Sequence, residues 1–430
     1  MSSKTIAIRT TLTMACILAA GCQKSDVMAQ DPQENTISAT ATDARSDADA
    51  RNMPEDSNRL PSTGLPETGT EDPVNKQNAN NPEKADAAKV QPSDNPNANN
   101  PEKADAAKVQ PSDNPNDNTA ANGCPDIRSN APLCAEQMEI LANIQQDPEP
   151  EVLYAVHTET IGRHYLVSDE KHPELFKETI ENKGGTYMGV GFEQGYLYVG
   201  WLRPSLVFLI DYDPWVVLNH RVLVEVMKTC DDAQCLYNHF SKRDVAEAFL
   251  NTQQAIDAGF AEKENRHRIH RLRYAVTQAL AKLRDSELPT MMNRPEIYQF
   301  IRELVLSGRL RVVQANLLES GSIESIAGAM NQLGASLQTL YLSNAEQYWN
   351  YSDQFKKNML ALPFAEDGII MRTRATYPRN SDYRYSIQPA SIFKIWMAHP
   401  KTRAVKPMTK HVSIRKPDQF PFVIDDLLPE

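Results

Sequence analysis

The chain has 430 residues, a formal net charge of −11 and 41% hydrophobic residues, which allows one large domain with a good deal of non-globular sequence beside it. An acidic balance of this kind argues against a general nucleic-acid binder, and no nucleic-acid partner is expected.

Export is the first thing the chain encodes. Lys4 and Arg9 precede an apolar run over residues 12–20, which closes as Leu18-Ala19-Ala20-Gly21-Cys22. A basic start, a short apolar core and small residues before a cut describe a signal peptide over residues 1–21, and the run is too short to span a bilayer. The ending resembles a bacterial lipobox with its leucine one place early. That resemblance implies lipidation of Cys22. With Gln23 next rather than aspartate, it implies an outer-membrane lipoprotein, periplasmic or surface-facing, held to the membrane by a lipid anchor. The alternative is an ordinary secretory signal cut nearby.

Almost no aliphatic or aromatic residue follows until about Cys124, so this stretch cannot offset the entropy of ordering. Inside it the sequence NANNPEKADAAKVQPSDNP at residues 78–96 returns unchanged at 97–115. Two copies with only Val90 or Val109 as a sizeable apolar side chain cannot stack as a solenoid. Residues 22–134 therefore read as a disordered tether with a 19-residue tandem repeat. About 100 residues of such chain have an r.m.s. reach of roughly 50–60 Å.

Apart from Cys16 and Cys22, the cysteines are Cys124, Cys134, Cys230 and Cys235. Pairing each with its near neighbour is the simplest of three connectivities in an oxidising compartment. Zinc is the alternative, but no CxxC and no histidine pair at ligand spacing supports it, and no metal is assigned.

Residues 135–430 form the foldable part. The stretch TYMGVGFEQGYLYVGWLRPSLVFLIDYDP at residues 186–214 reads as strand, glycine turn, helix, strand and acid. Gly189, Gly191 and Gly195 make GxGxxxG, near the dinucleotide fingerprint. Glycines let the backbone approach a nucleotide-like ligand, and the helix start offers free N–H groups. Asp211 closes the apolar run 206–210, at the strand end where open α/β sheets bind ligands. The same glycines can instead mark a tight turn or a bulge. Asp213, before Pro214, reads as the N-cap of a helix over residues 215–227.

Further helices are expected over residues 246–258, from the basic run KENRHRIHRLR at 263–273 onward, and over 295–306. In the basic helix Ile269, Leu272, Val276, Leu280 and Leu283 recur at helical spacing, which puts the arginines on a solvated face. That face binding a phosphate-bearing lipid or glycan is the alternative. Residues 309–317, 336–342 and 367–375 read as strands, with helices over 323–333 and up to Leu360. The order implies an α/β fold, a doubly wound, mostly parallel sheet with a helical insertion between its second and third strands.

Two blocks, GGTYMGVGFEQGYLYVGWLRPSLVFLIDYD and LYLSNAEQYWNYSDQFKKNMLALP with the later IIMRTR, resemble a little-characterised bacterial family with a class I methyltransferase-like, Rossmann-like fold. The resemblance implies S-adenosylmethionine as cofactor, bound at Gly189, Gly191 and Asp211 with Gly195 nearby. It also places Asn344 and Glu346 toward the methyl group as catalytic residues. The pattern departs from active methyltransferases at Tyr187, where they carry an acid, and at Glu193, where their third glycine falls. SNAEQY also differs from the Asp/Asn-Pro-Pro-Tyr of amino methylases, and S-adenosylmethionine is a cytosolic compound. Asn344 and Glu346 can equally cap the next helix.

Pro389-Ala390-Ser391-Ile392-Phe393-Lys394 and Ser168-Asp169-Glu170-Lys171 both fit the SxxK of serine acyl-transfer enzymes. Neither is followed by the SxN and KTG elements at usable spacing, and chance accounts for them. His157, His164 and His220 are singletons. Trp349, Tyr351 and Phe355 read as packing for the helix after the fourth strand. Two functions follow as expectations. One is a small-ligand or nucleotide-like cleft at the glycine loop and Asp211, with methyl transfer as its chemistry. The other is an envelope scaffold that has kept the fold without the chemistry and works through a protein or peptidoglycan partner.

Overall fold

The computed structural model describes residues 123–129, 131–153, 162–376, 382–411 and 421–430. The signal peptide, Cys22, the tandem repeat and His157 lie outside the described residues.

Seven strands form one sheet: β1 (Thr186–Val190), β2 (Leu206–Asp211), β3 (Leu310–Gln314), β4 (Leu337–Tyr341), β5 (Phe364–Ala375), β6 (Tyr383–Pro389) and β7 (Phe422–Ile424). Their order is β3-β2-β1-β4-β5-β6-β7. Every neighbouring pair is parallel except β5 with β6. The order reverses between β1 and β4, so the crevice at their carboxyl ends is the place where sheets of this kind take a ligand. β1 to β5 are the strands expected from sequence. β6 and β7 are additional, and the PASIFK run turns out to be the end of β6 and the start of a helix, with Ser391 and Lys394 on that helix.

Helices cover both faces. They are α1 (Ala135–Ala142), α2 (Lys177–Ile180) and α3 (Glu193–Leu202), then α4 (Pro214–Thr229), α5 (Ala233–Ser241), α6 (Arg243–Leu250), α7 (Gln253–Asp257), α8 (Lys263–Arg284) and α9 (Pro295–Leu306), the last six inserted between β2 and β3. After β3 come α10 (Ser322–Gln332), α11 (Asp353–Ala361) and α12 (Ala390–Ala398). Successive strand residues point to opposite faces. Tyr187, Val207, Leu209 and Tyr341 pack with apolar residues of α3, α4, α8 and α9. Met188, Phe208, Ile210 and Leu340 pack with those of α10, α11 and α12. Burial on both faces is why β1 and β2 read as unbroken apolar runs.

Local chemistry sets the element ends. Asp213 accepts from Trp215 N at the start of α4, with Pro214 in the first turn. α3 stops at Arg203, which takes the left-handed conformation (φ 54°) just before Pro204. The span expected as one helix over residues 246–258 is two, because Thr252 caps α7 by accepting from Ala255 N. The arginines of α8 are less solvated than their spacing implies. Arg266 donates to Glu247, Leu250 O and Asn251, and Arg273 donates to Phe240 O and Ser241 O, so the basic run stitches α8 to α5 and α6.

Both near-neighbour disulfides form, Cys124–Cys134 and Cys230–Cys235. Residues just before α1 also pack on the sheet domain: Ile127 and Leu133 are buried, and Arg309 donates to Ile127 O and Ala131 O.

Gly200 marks where α3 meets α9, since a Cβ there would lie 2.7 Å from Ile297 Cγ2. Gly200→Val forces the two helices apart and is expected to cost about 1–3 kcal/mol. Urea denaturation reads this directly, and an unchanged midpoint would show that the helices are not in contact there.

Candidate functional site

The loop after β1 is closed by its own neighbours. Gly191 has φ +86°, a conformation that suits glycine, and this turns its N–H onto Asp211 Oδ2 at 3.1 Å. The other oxygen of Asp211 accepts from Asp213 N at 2.9 Å. The Gly191 carbonyl accepts from His220 Nε2 at 2.9 Å, which leaves Nδ1 of the neutral ring to accept from Tyr196 Oη, also at 2.9 Å. Burial pushes His220 down to about 4, consistent with a neutral ring. Burial also pushes the Asp211 carboxyl up to about 7 against the pull of the backbone N–H bonds.

Gly189 and Gly195 meet packing demands. A Cβ on Gly189 would lie 2.1 Å from Tyr187 Oη, because the Tyr187 phenol folds across it. A Cβ on Gly195 would lie 2.9 Å from Leu209 Cδ2, where α3 rests on β2. Tyr187 is itself fully buried.

Beside this loop a strap of residues 168–172 enters the crevice between the first turn of α3 and the carboxyl ends of β4 and β5. Its centre is Glu170, only 3% exposed. The Glu170 carboxylate accepts from Tyr341 Oη at 2.9 Å, Ser343 Oγ at 2.9 Å, Thr373 Oγ1 at 2.7 Å and Gln194 Nε2 at 2.8 Å. Burial raises its pKa to about 7, opposed by the three hydroxyl bonds. The flanks are pinned as well. Ser168 N donates to Glu193 Oε1 at 2.6 Å, and Lys282 of α8 donates to Ser168 O at 2.7 Å. Tyr383 donates to Asp169, and His172 N donates to Tyr385 Oη. Upstream, His164 stacks on Trp215 at 3.9 Å and contacts Asp213 at 2.8 Å.

The two residues expected to face a methyl group lie apart. Asn344 is at the crevice rim, where its Nδ2 donates to Tyr348 Oη at 3.1 Å and Tyr383 Oη at 3.3 Å. Its side chain does not cap the short turn that follows. Glu346 is buried and accepts from Arg372 Nε at 2.7 Å and from Tyr351. Arg372 and Thr373 are adjacent in β5, so Glu346 serves the sheet face opposite to that of Glu170.

Of the residues read from sequence, Gly191 and Asp211 come into contact, Gly189 and Gly195 sit in packing contacts, and Asn344 and Glu346 occupy different surroundings. The residues that sequence reasoning missed are Glu170, His220, Tyr341 and Thr373. No local pattern marks them, because each acquires its role from chain segments far apart in sequence.

The Asp211 carboxylate, which the resemblance would place on the ribose hydroxyls of S-adenosylmethionine, accepts one backbone N–H on each oxygen, and the Tyr187 phenol packs over Gly189. No chemical step is derived through that cofactor.

Sheet order, helices on both faces and a crevice at the order reversal define a Rossmann-like α/β domain, and Glu170 of the chain's own strap enters that crevice. The chain belongs to the family described as a domain of unknown function, DUF7790, whose profile matches residues 165–420 and so begins just before the strap. A search of curated proteins finds no match.

Glu170 binds its proton more tightly in the folded chain than in the unfolded one, where 4.5 is its ordinary value. The stability it contributes therefore falls as pH rises from about 4.5 to about 7. Glu170→Gln removes that titration. Between about pH 4.5 and pH 8, the stability of the variant relative to wild type should improve by about 3 kcal/mol in urea denaturation. A difference that does not change with pH would contradict the assignment.

Proposed function

We propose that this protein is an envelope lipoprotein, anchored in the outer membrane through Cys22, whose Rossmann-like domain acts as a non-catalytic interaction module at the end of a long tether. The observation that carries the reading is the strap: Glu170 enters the switch-point crevice and accepts hydrogen bonds from α3, β4, Ser343 in the turn after β4, and β5. A strap of the chain's own residues in the crevice favours contact at the outer surface, with an envelope protein or peptidoglycan, as the mode of action. Two disulfides support an exported domain.

A second reading has one observation in its favour. Asp211 retains some exposure and touches the glycine loop, as a ribose-binding acid does. On that reading a nucleotide-like ligand displaces the strap and methyl transfer follows. Calorimetry of the full chain separates the two: no heat with S-adenosylmethionine or S-adenosylhomocysteine at near-millimolar ligand is expected, and saturable binding of either would overturn the non-catalytic reading.

Lipidation has its own test. Cells expressing the wild-type chain and fed a labelled fatty acid should incorporate label into this protein, and Cys22→Ala should abolish it. Equal labelling of the two would rule out the anchor.

A further inference from the structure

The second face of the β5–β6 ribbon, turned away from Glu170, concentrates positive charge. The antiparallel register sets Arg372 opposite Ser386, Arg374 opposite Arg384 and Ile370 opposite Gln388. Three guanidiniums, one hydroxyl and one amide therefore share one side of two strands. The side is covered. The Phe393 ring of α12 lies 5.4 Å from the Arg372 guanidinium, Arg374 donates to Thr409, and Arg384 donates to Lys410 O.

Two carboxylates reach this cluster. Glu346 pairs with Arg372 at 2.7 Å, and Asp425 meets Arg384 at the longer distance of 3.3 Å. Among the described residues no acid pairs with Arg374, so three cations face two anions. Burial lowers the pKa of both Arg374 and Arg384, a sign that the surroundings disfavour the extra charge. Internal water can satisfy a donor, but it does not balance a charge.

The donor count points the same way. Arg372 Nη2, Arg374 Nε, Arg384 Nε, Ser386 Oγ and Gln388 Nε2 are buried and have no hydrogen-bond partner among the described residues. Arg372, Arg384, Ser386 and Gln388 are 1%, 7%, 0% and 0% exposed. The amide oxygen of Gln388 already accepts from Arg372 Nη1 at 2.9 Å, so its remaining capacity is to donate. One unpaired guanidinium nitrogen from each of three arginines, with a hydroxyl and an amide N–H beside them, are donors that a multi-oxygen anion can accept from together.

We propose that the β5–β6 ribbon binds a phosphate-like oxyanion, held by Arg372, Arg374, Arg384, Ser386 and Gln388, with the half-buried Arg374 on the approach from solvent. The charge imbalance selects an anion over a neutral polar ligand. The number of donors favours a tetrahedral oxyanion, which offers more acceptor positions than a carboxylate.

The test uses the full-length chain, titrated calorimetrically with inorganic phosphate and with glycerol phosphate, with chloride as reference at fixed ionic strength. Saturable phosphate binding is expected, with affinity at least tenfold weaker in Arg374→Gln and unchanged in Arg271→Gln, a substitution on α8 away from the ribbon. Binding of the ester as strongly as the free ion assigns a phosphomonoester headgroup, and binding of the free ion alone assigns free phosphate; both uphold the site. Should Arg374→Gln fail to fold, Ser386→Ala takes its place with the same expected loss of affinity. No response beyond that to chloride, or equal binding by wild type and the ribbon variant, means an adventitious ion only and overturns the proposal.

Discussion

A carboxylate taken out of water without a counter-cation must be surrounded by donors, and Glu170 is the residue in which this constraint organises the domain. Its four donors come from α3, β4, the Ser343 turn and β5, elements that meet only when the sheet is complete. Removing any one hydroxyl takes away one of these donors while both carboxylate oxygens keep a partner, so the typical cost is that of one hydrogen bond to a charged group, about 1.5–3 kcal/mol. The carboxylate therefore ties the strap to the sheet and, through Ser168, Glu193 and Lys282, ties the strap to α3 and α8 as well.

The glycine loop follows the same logic on a smaller scale. Gly191 presents an N–H and a carbonyl in a conformation that would otherwise suit a bound anion or nucleotide. Asp211 takes the first and His220 the second. His220 is fully buried and neutral, and its other nitrogen is used by Tyr196. The glycine turn is thus kept, while the N–H and carbonyl of Gly191 are used inside the protein.

Much of the fold was legible in the chain because strands buried on both faces write themselves as short apolar runs between turn residues. That is how β1 to β5 and the helical insertion could be read in order. β6 alternates Tyr and Ile with Arg, Ser and Gln, which is itself the period-2 signal of a strand, but the PASIFK run that overlaps its end draws the reading to a catalytic motif instead. The site was less legible. Gly191 and Asp211 were found through spacing and do touch, but the placement of Tyr187 over Gly189 and of Glu170 in the crevice was not legible. Glu170 lies about 170 residues before its partners Tyr341 and Ser343, and no local periodicity encodes such a meeting. Glu346 was read as a neighbour of Asn344 in one centre, whereas strand alternation in β5 draws it to Arg372 on the other face.

Hydrogen–deuterium exchange of the amides of residues 168–172 in the native full-length chain measures most directly whether the strap is part of the folded domain. Ser168, Glu170, Lys171 and His172 donate their N–H groups to Glu193, Ser168, Asp382 and Tyr385. Protection comparable with that of β4, unchanged by S-adenosylmethionine, is the predicted result. Exchange at the rate of free chain, with β4 still protected, would mean that the crevice stands open and would contradict the account.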